Sequence, residues 1–208
     1  MPDTVALARE ERAELADFLA TLTPEQWEAP TLCRGWSVRD VAAHVVSYDV
    51  QGMTGFLRTL VLAGLSPDRA NQKAVDALHD MDPWGLVALL RRYTTPEGFT
   101  ARFGGRIALT DGAIHHQDIR RPLGLPRTIP PERLRAILDF AMIAPPIHVA
   151  PRIRGLRLRA TDLDWSHGKG AEVTGPGEAL LMAAAGRADA LDELDGPGQG
   201  TLAARLRA

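Results

Sequence analysis

The stretch DGAIHHQDIRR, residues 111–121, gathers side chains that could bind a metal or carry a proton. On a helix, Asp111 and His115 stand at i and i+4, stacked on one face with Cβ atoms roughly 5–6 Å apart. His116 is turned about 100° away from them, since the helix repeats every ~3.6 residues. A carboxylate and an imidazole on one face supply two donors of a small metal site, so a third must come from elsewhere. His44, in VRDVAAHVV, is the natural candidate. It lies beside an apolar stripe, and a helical bundle brings side chains from different helices to one point in its core. Two imidazole nitrogens and one carboxylate oxygen suit zinc, and also nickel, iron or manganese, with positions left for water or substrate. Structural zinc sites usually fill all four positions, often with cysteine, and Cys33 is the only cysteine.

Each of these residues has an ordinary alternative. A lone helical histidine such as His44 is more often a hydrogen-bonded core residue than a ligand. Asp111 could serve as a helix cap, because it follows Thr110 and precedes Gly112, a poor interior helix residue. His79, His148 and His167 have no acidic or histidine partner at ligand spacing and read as surface or packing residues. Trp36, just ahead of a helix start, reads as a packing residue, and Asp40 as a first-turn acid. Arg120 either is solvated or pairs with an anionic substrate.

The elements that must position these side chains are helical as far as about residue 145. Leu7, Leu15, Phe18 and Leu19 give a helix within 4–21. Thr23, Pro24 and Gln26 form a capping-box pattern. Ser37 and Asp40 open a long helix over about 37–63, with Val38, Val41, Ala42, Val45 and Val46 as its stripe and Gly52 and Gly55 as weak spots. Pro67-Asp68 begins a helix through Leu78, and Asp82-Pro83 another through Tyr93. A helix over 108–120 carries the histidine pair and is broken by PLGLPRTIPP. Pro130-Pro131-Glu132 opens the next, to about Ile143, and Pro145-Pro146 closes it. After residue 150 the pattern changes: GLRLRATD alternates with period two, GAEVTGPG is a second short strand, and PGEALLMAAAGR is a helix ending at Gly186. The tail from Asp192 reads as mobile, with TLAARL a short strand or turn. The fold expected is mainly α, an up-and-down four-helix bundle over 1–148 followed by a small, shortened α/β domain over 149–208.

The bulk composition bounds the function. With 208 residues, 45% apolar and 24% charged, the chain is globular. Its net charge of −2 gives no reason to expect a nucleic acid or an anionic membrane as partner. No apolar run approaches the ~20 residues of a membrane span. The N-terminus, MPDTVALAREERAE, has acids throughout and no apolar signal-peptide core, and a single cysteine fits a reducing compartment, so a cytoplasmic location is expected.

Taken in order, these segments resemble a family. PTLCRGWSVRDVAAHVVSYD is similar to the N-terminal signature of the mycothiol-dependent maleylpyruvate isomerase-like proteins, with its Trp-Ser-Val-x-Asp helix start followed by a histidine. LTDGAIHHQDIRRPLGLPRTIP resembles their second signature. LRATDLDWSHGKGAEVTGPGEALLMAAAGR is similar to the small α/β domain that many of them carry. The resemblance implies a DinB/YfiT-like metal-binding four-helix bundle, with His44, Asp111 and His115 as ligands. Asp111 replaces the glutamate of the isomerase pattern and is one methylene shorter. His116, Asp118, Arg120 and Arg187 are then expected around the metal or facing the substrate; no catalytic residue is assigned. The family name covers many actinobacterial paralogues. What it implies is a thiol-dependent isomerase or S-transferase, with a divalent metal, zinc first, and mycothiol as co-substrate, acting on small electrophiles as a monomer or homodimer. The alternatives are a metal-dependent hydrolase and a non-catalytic, stress-related metal- or ligand-binding bundle.

Overall fold

The computed structural model describes residues 3–207. Its residues fall into two compact units, one ending at Arg127 and the other beginning at Thr128.

In the first unit, α1 (Thr4–Leu19), α3 (Val38–Leu62), α5 (Pro83–Arg92) and α6 (Arg106–Leu123) form a ring in which α1 and α3 each pack on both α5 and α6. Two shorter helices, α2 (Pro24–Trp27) and α4 (Pro67–Asp76), pack on α3. Their starts follow from local chemistry. Thr23 and Gln26 form a reciprocal capping box at α2, Ser37 and Asp40 form another at α3, and Asp82 caps α5 through Gly85 N–H. The α3 stripe Val38, Val41, Ala42, Val45 and Val46 is buried against Leu15, Leu19, Leu86, Leu90 and Ile119. Gly52 interrupts α3 at φ +61°, ψ −175°, a conformation open to glycine alone, whereas Gly55 stays helical.

Two features were not foreseen. Arg12 is buried on α1, where it pairs with Asp49 of α3 at 2.7 Å and donates to Tyr93 O at 2.6 Å. Asp49 in turn accepts from Glu97 N–H and Thr100 Oγ1, so one ion pair fixes α1, α3 and the chain before α6. Second, α6 does not stop before PLGLPRTIPP but runs through Pro122 to Leu123 and ends at Gly124, φ +66°. Proline in the last turn removes one N–H, and that of position 122 would have reached the Asp118 carbonyl. Leu32 N–H occupies that carbonyl instead, at 3.1 Å.

The second unit contains α7 (Pro131–Ala141), α8 (Val149–Ile153), β1 (Leu156–Ala160), β2 (Ser166–Gly168), β3 (Ala171–Gly175), α9 (Gly177–Ala184) and α10 (Gln199–Leu206). The sheet has the order β2-β1-β3, with β1 antiparallel to β2 and parallel to β3. Leu156, Leu158 and Ala160 alternate inward on β1, the period-two pattern of the sequence. α9 covers β1 and β3 and also packs on α7. Two expectations are corrected here. The unit starts before α7 rather than after residue 148, because α7 packs on α9. The tail is structured: Asp195 pairs with Thr174 at the β3 edge, and TLAARL lies in the helix α10, with Leu202 buried. Among the described residues no strand precedes β1, and no helix is long and apolar enough to cross a membrane.

Candidate metal centre

His44 projects from α3, and Asp111 and His115 project one turn apart from α6. The helices bring all three together. Asp111 Oδ1 stands 3.9 Å from His44 Nε2 and 3.6 Å from His115 Nε2, and the two imidazole rings meet edge to face with centroids 4.8 Å apart. One ligand atom from each residue lies within 4.8 Å of the others. These separations are too long for hydrogen bonds. They are close to the ~3.4 Å between donors bound about 2.0–2.1 Å from a tetrahedral ion, so the residues present fit a divalent metal.

The capping role open to Asp111 in the sequence is excluded by position. α6 starts at Arg106 after Gly105, so Asp111 lies in its second turn, well past the N-cap. His44 is 3% exposed, and the Asp111 side chain is 26% exposed, so the carboxylate is the outer edge of the group. Burial, with the neighbouring His115, lowers the His44 pKa to about 4, which keeps its imidazole neutral and its nitrogen lone pair available. Burial also disfavours charge on His115, but the Asp111 carboxylate, the hydrogen bond to Asp118 and the nearby Cys33 outweigh it and raise its pKa to about 10.

Asp118 holds His115 from behind. Its Oδ2 lies 2.9 Å from His115 Nδ1, which leaves Nε2 turned toward Asp111 and His44. This is the arrangement expected of an acid that orients a metal-binding histidine. Cys33, not foreseen as part of the site, reaches the same Asp118 Oδ2 at 3.1 Å and lies 3.5 Å from His115 Nδ1. Cys33, His115 and Asp118 are therefore a second cluster of ligating side chains, sharing His115 with the first. The available signal was Pro122, four residues after Asp118, which frees a carbonyl for the residue before Cys33.

Aromatic rings wall His44. Trp36 lies 5.0 Å from it and Tyr48 5.3 Å, centroid to centroid, and Tyr48 continues into Phe56 and Phe99. α4 holds both flanking rings, through Gln72 to Trp36 Nε1 and Asn71 to Tyr48 O–H. A groove of about 430 Å³ lined by Leu19, Trp27, Arg39 and Trp84, among others, contains none of the three donors.

The remaining expected site residues lie elsewhere. His116 points away from the donor group. Its Nδ1 is 3.0 Å from Glu11 Oε1, and its Nε2 accepts from Arg120 Nε at 2.8 Å. An arginine can only donate, so Nε2 carries no proton and Nδ1–H donates to an ionised Glu11. Arg127 balances that carboxylate at 2.6 Å. Arg120 also lies over the Phe18 ring at 3.7 Å and donates to Leu125 O. His116 and Arg120 are thus tied into a network with Glu11 and Arg127: a helix turns adjacent residues about 100° apart, and α1 occupies the side to which His116 turns. Arg187 lies in the second unit and donates to Ala185 O. His79 and His148 are exposed, and His167 stacks near Trp165.

Comparison with known proteins agrees with this fold. No curated protein matches the chain. Two solved structures share its fold: the crystal structures of the mycothiol-dependent maleylpyruvate isomerase and of a histidine-to-alanine mutant of it. Each has a TM-score of 0.60 at 17% identity, over 96% of this chain and 94% of that one. Residues 8–69, which include Cys33, the α3 capping box and His44, match the family model described as the mycothiol maleylpyruvate isomerase N-terminal domain. Residues 8–69 of the helical unit are thus similar to the mycothiol maleylpyruvate isomerase N-terminal domain family.

Proposed function

We propose that the protein is a metal- and thiol-dependent enzyme that adds a low-molecular-weight thiol, mycothiol by analogy with its structural neighbours, to a small electrophile. The observation that carries the reading is the convergence of His44 Nε2, Asp111 Oδ1 and His115 Nε2 from two helices at ion-like spacing. Those three residues would hold a divalent metal, zinc first by the chemistry of two nitrogens and one oxygen. When bound, such an ion supplies Lewis acidity and keeps a coordinated thiol as thiolate near neutral pH. The chain's own residues do the rest. Asp118 fixes the His115 tautomer, His44 stays neutral within its apolar wall, and Asp111 provides the one negative charge of the donor set at its exposed edge. Trp36 and Tyr48 place aromatic rings beside His44, a surface suited to a flat, unsaturated substrate.

The reaction class is addition of a thiolate to an electrophilic carbon. If addition to a cis double bond is followed by rotation and loss of the same thiolate, the outcome is isomerisation; if the adduct is released, it is S-transfer. The test is zinc content of tag-free protein together with thiol consumption against a panel of conjugated electrophiles. Stoichiometric zinc with metal-dependent thiol consumption, or with thiol-dependent isomerisation, is expected. Absence of metal from wild-type protein supplied with zinc would overturn the reading. Metal without either reaction would reduce it to a metal-binding bundle.

A further inference from the structure

We infer, resting on the metal- and thiol-dependent reading above, that the electrophile carries an aryl group, and that Phe56 and Phe99 are the specificity-determining residues that receive it. The two rings stack with centroids 4.5 Å apart and planes 21° from parallel. Each also meets Tyr48, at 5.7 and 5.9 Å, and Tyr48 meets His44 at 5.3 Å. Aromatic surface therefore runs without a break from the donor group to the Phe56–Phe99 pair. Tyr48, Phe56 and Phe99 are all half-buried, so the run keeps surface open to a ligand. Tyr48 itself is held in place by its O–H, which donates to Asn71 Oδ1 at 2.8 Å.

Two devices place the pair, and both use unusual backbone. Phe56 follows Tyr48 by eight residues on α3, and an unbroken helix would set their Cα atoms about 12 Å apart along its axis. The Gly52 kink lies midway between them. Gln51 braces that kink: its Nε2 donates to Ser47 O at 3.2 Å, and its Oε1 accepts from Thr59 Oγ1 at 2.6 Å. One side chain thus ties the turns before and after the break. Phe99 comes from the chain before α6. Gly98, at φ +59°, lies so close to the kink that a Cβ there would fall 3.2 Å from Gly52 Cα and 3.3 Å from Met53 N. Asp49 fixes both flanks of Phe99, accepting from Glu97 N–H at 2.7 Å and from Thr100 Oγ1 at 3.0 Å. Strained backbone persists where its surroundings over-determine it, and it clusters at ligand sites. Here it brings rings from two segments together next to the aromatic wall of the donor group. On such a pair a flat aryl ring gains stacking, whereas a saturated ring of the same size gains burial alone.

The experiment is an NMR titration of the full chain, supplied with zinc, against benzylacetone and its ring-saturated analogue, the cyclohexyl ketone. Neither has an alkene to which a thiol could add, so binding is read without reaction. The cyclohexyl ketone is at least as apolar, so a groove that offered burial alone would hold it as well or better. Wild type is expected to bind benzylacetone about three- to tenfold more tightly than the analogue. Phe56→Leu and Phe99→Leu keep apolar bulk and should bring the two affinities level. Gly98→Ala, whose added carbon pushes the loop off the kink, should lower the preference as well. Zinc affinity should be unchanged in all three variants. Equal binding of the two ketones by wild type, or a preference that survives both leucine substitutions, would overturn the inference. Loss of zinc together with the preference in a leucine variant would make the rings a support of the fold and overturn it too. A Gly98→Ala preference equal to that of wild type would overturn the positioning of Phe99 by the loop contact. If wild type binds no zinc, the metal reading fails by itself, and the ketone comparison still decides whether the ring pair is an aryl site.

Discussion

His115 and His116 are neighbours in the chain and belong to different buried networks, one imidazole joining Asp111, Asp118 and His44 and the other joining Glu11 and Arg120. The two histidines are therefore separable by mutation. His115→Ala should abolish stoichiometric zinc binding. His116→Ala should leave the zinc affinity within about twofold and cost about 2–4 kcal/mol of stability, since it removes a hydrogen-bond partner from the buried Glu11 and from Arg120. Zinc titration and urea unfolding of both variants check the pair; equal loss of zinc in both would contradict the geometry.

Asp111 has lost its alternative role as a cap, so its charge can be tested cleanly. Asp111→Asn should weaken zinc binding by at least about tenfold, because the amide removes the one charge offsetting the cation among the three donors. Asp111→Glu should retain the metal, since both imidazoles stand slightly farther from Oδ1 than a bound ion requires. Competition titration with a chromophoric chelator gives both affinities.

Glu11 sets a pH dependence. Burial raises its pKa, but the His116 hydrogen bond, the Arg127 charge and their further contributions prevail and bring it from 4.5 to about 2. A carboxyl with a depressed folded-state pKa stabilises the fold fully above its unfolded value and loses that contribution as pH falls from about 4.5 toward about 2. The contribution is about 3 kcal/mol at neutral pH. In metal-free protein, the stability gap between wild type and Glu11→Gln should be constant above pH 5 and shrink steadily below it. Urea unfolding across that range measures the gap, and a gap that widened toward pH 3 would contradict the assignment.

Gly52→Ala should lower stability by about 1–3 kcal/mol, because φ +61° with extended ψ is barred to a Cβ-bearing residue. No atom lies within 4 Å of the added carbon, so the cost is conformational and not a clash. Gly200→Ala in α10 also meets open space, but in helical backbone, and should be neutral or stabilising by up to about 1 kcal/mol. The unfolding midpoint should fall for Gly52→Ala and hold or rise for Gly200→Ala.

What the sequence made legible was periodic or local. The α3 stripe, the capping box at Thr23, the cap at Ser37 and the alternation of Leu156 and Leu158 are each specified within a few residues, and each was read correctly. The i, i+4 relation of Asp111 and His115 was equally local. The expected meeting with His44 drew on the bundle rule and the motif resemblance, and the structure brings the three together. Missed were the partners that only tertiary structure supplies. Arg12 with Asp49, Glu11 with Arg127, and Cys33 with Asp118 join residues far apart in the chain, and nothing in either local segment marks the pairing. The tail failed for a different reason: its glycines and acids read as solvent-loving, while the contact that orders it, Asp195 on Thr174, is a backbone pairing blind to side-chain type.

The distance along the chain between His44 and His115 has a thermodynamic consequence. An unfolded chain holds the Asp111–His115 pair within one turn's length but keeps His44 remote, so the complete donor set exists only in the folded molecule. An ion that binds the native state and not the denatured one acts as a mass-action brake on unfolding, contributing about 2.7 kcal/mol when free metal is a hundredfold above its dissociation constant. The melting temperature of this protein should therefore track the free zinc concentration. Scarcity of the metal would be felt first as a shortened lifetime of the folded chain.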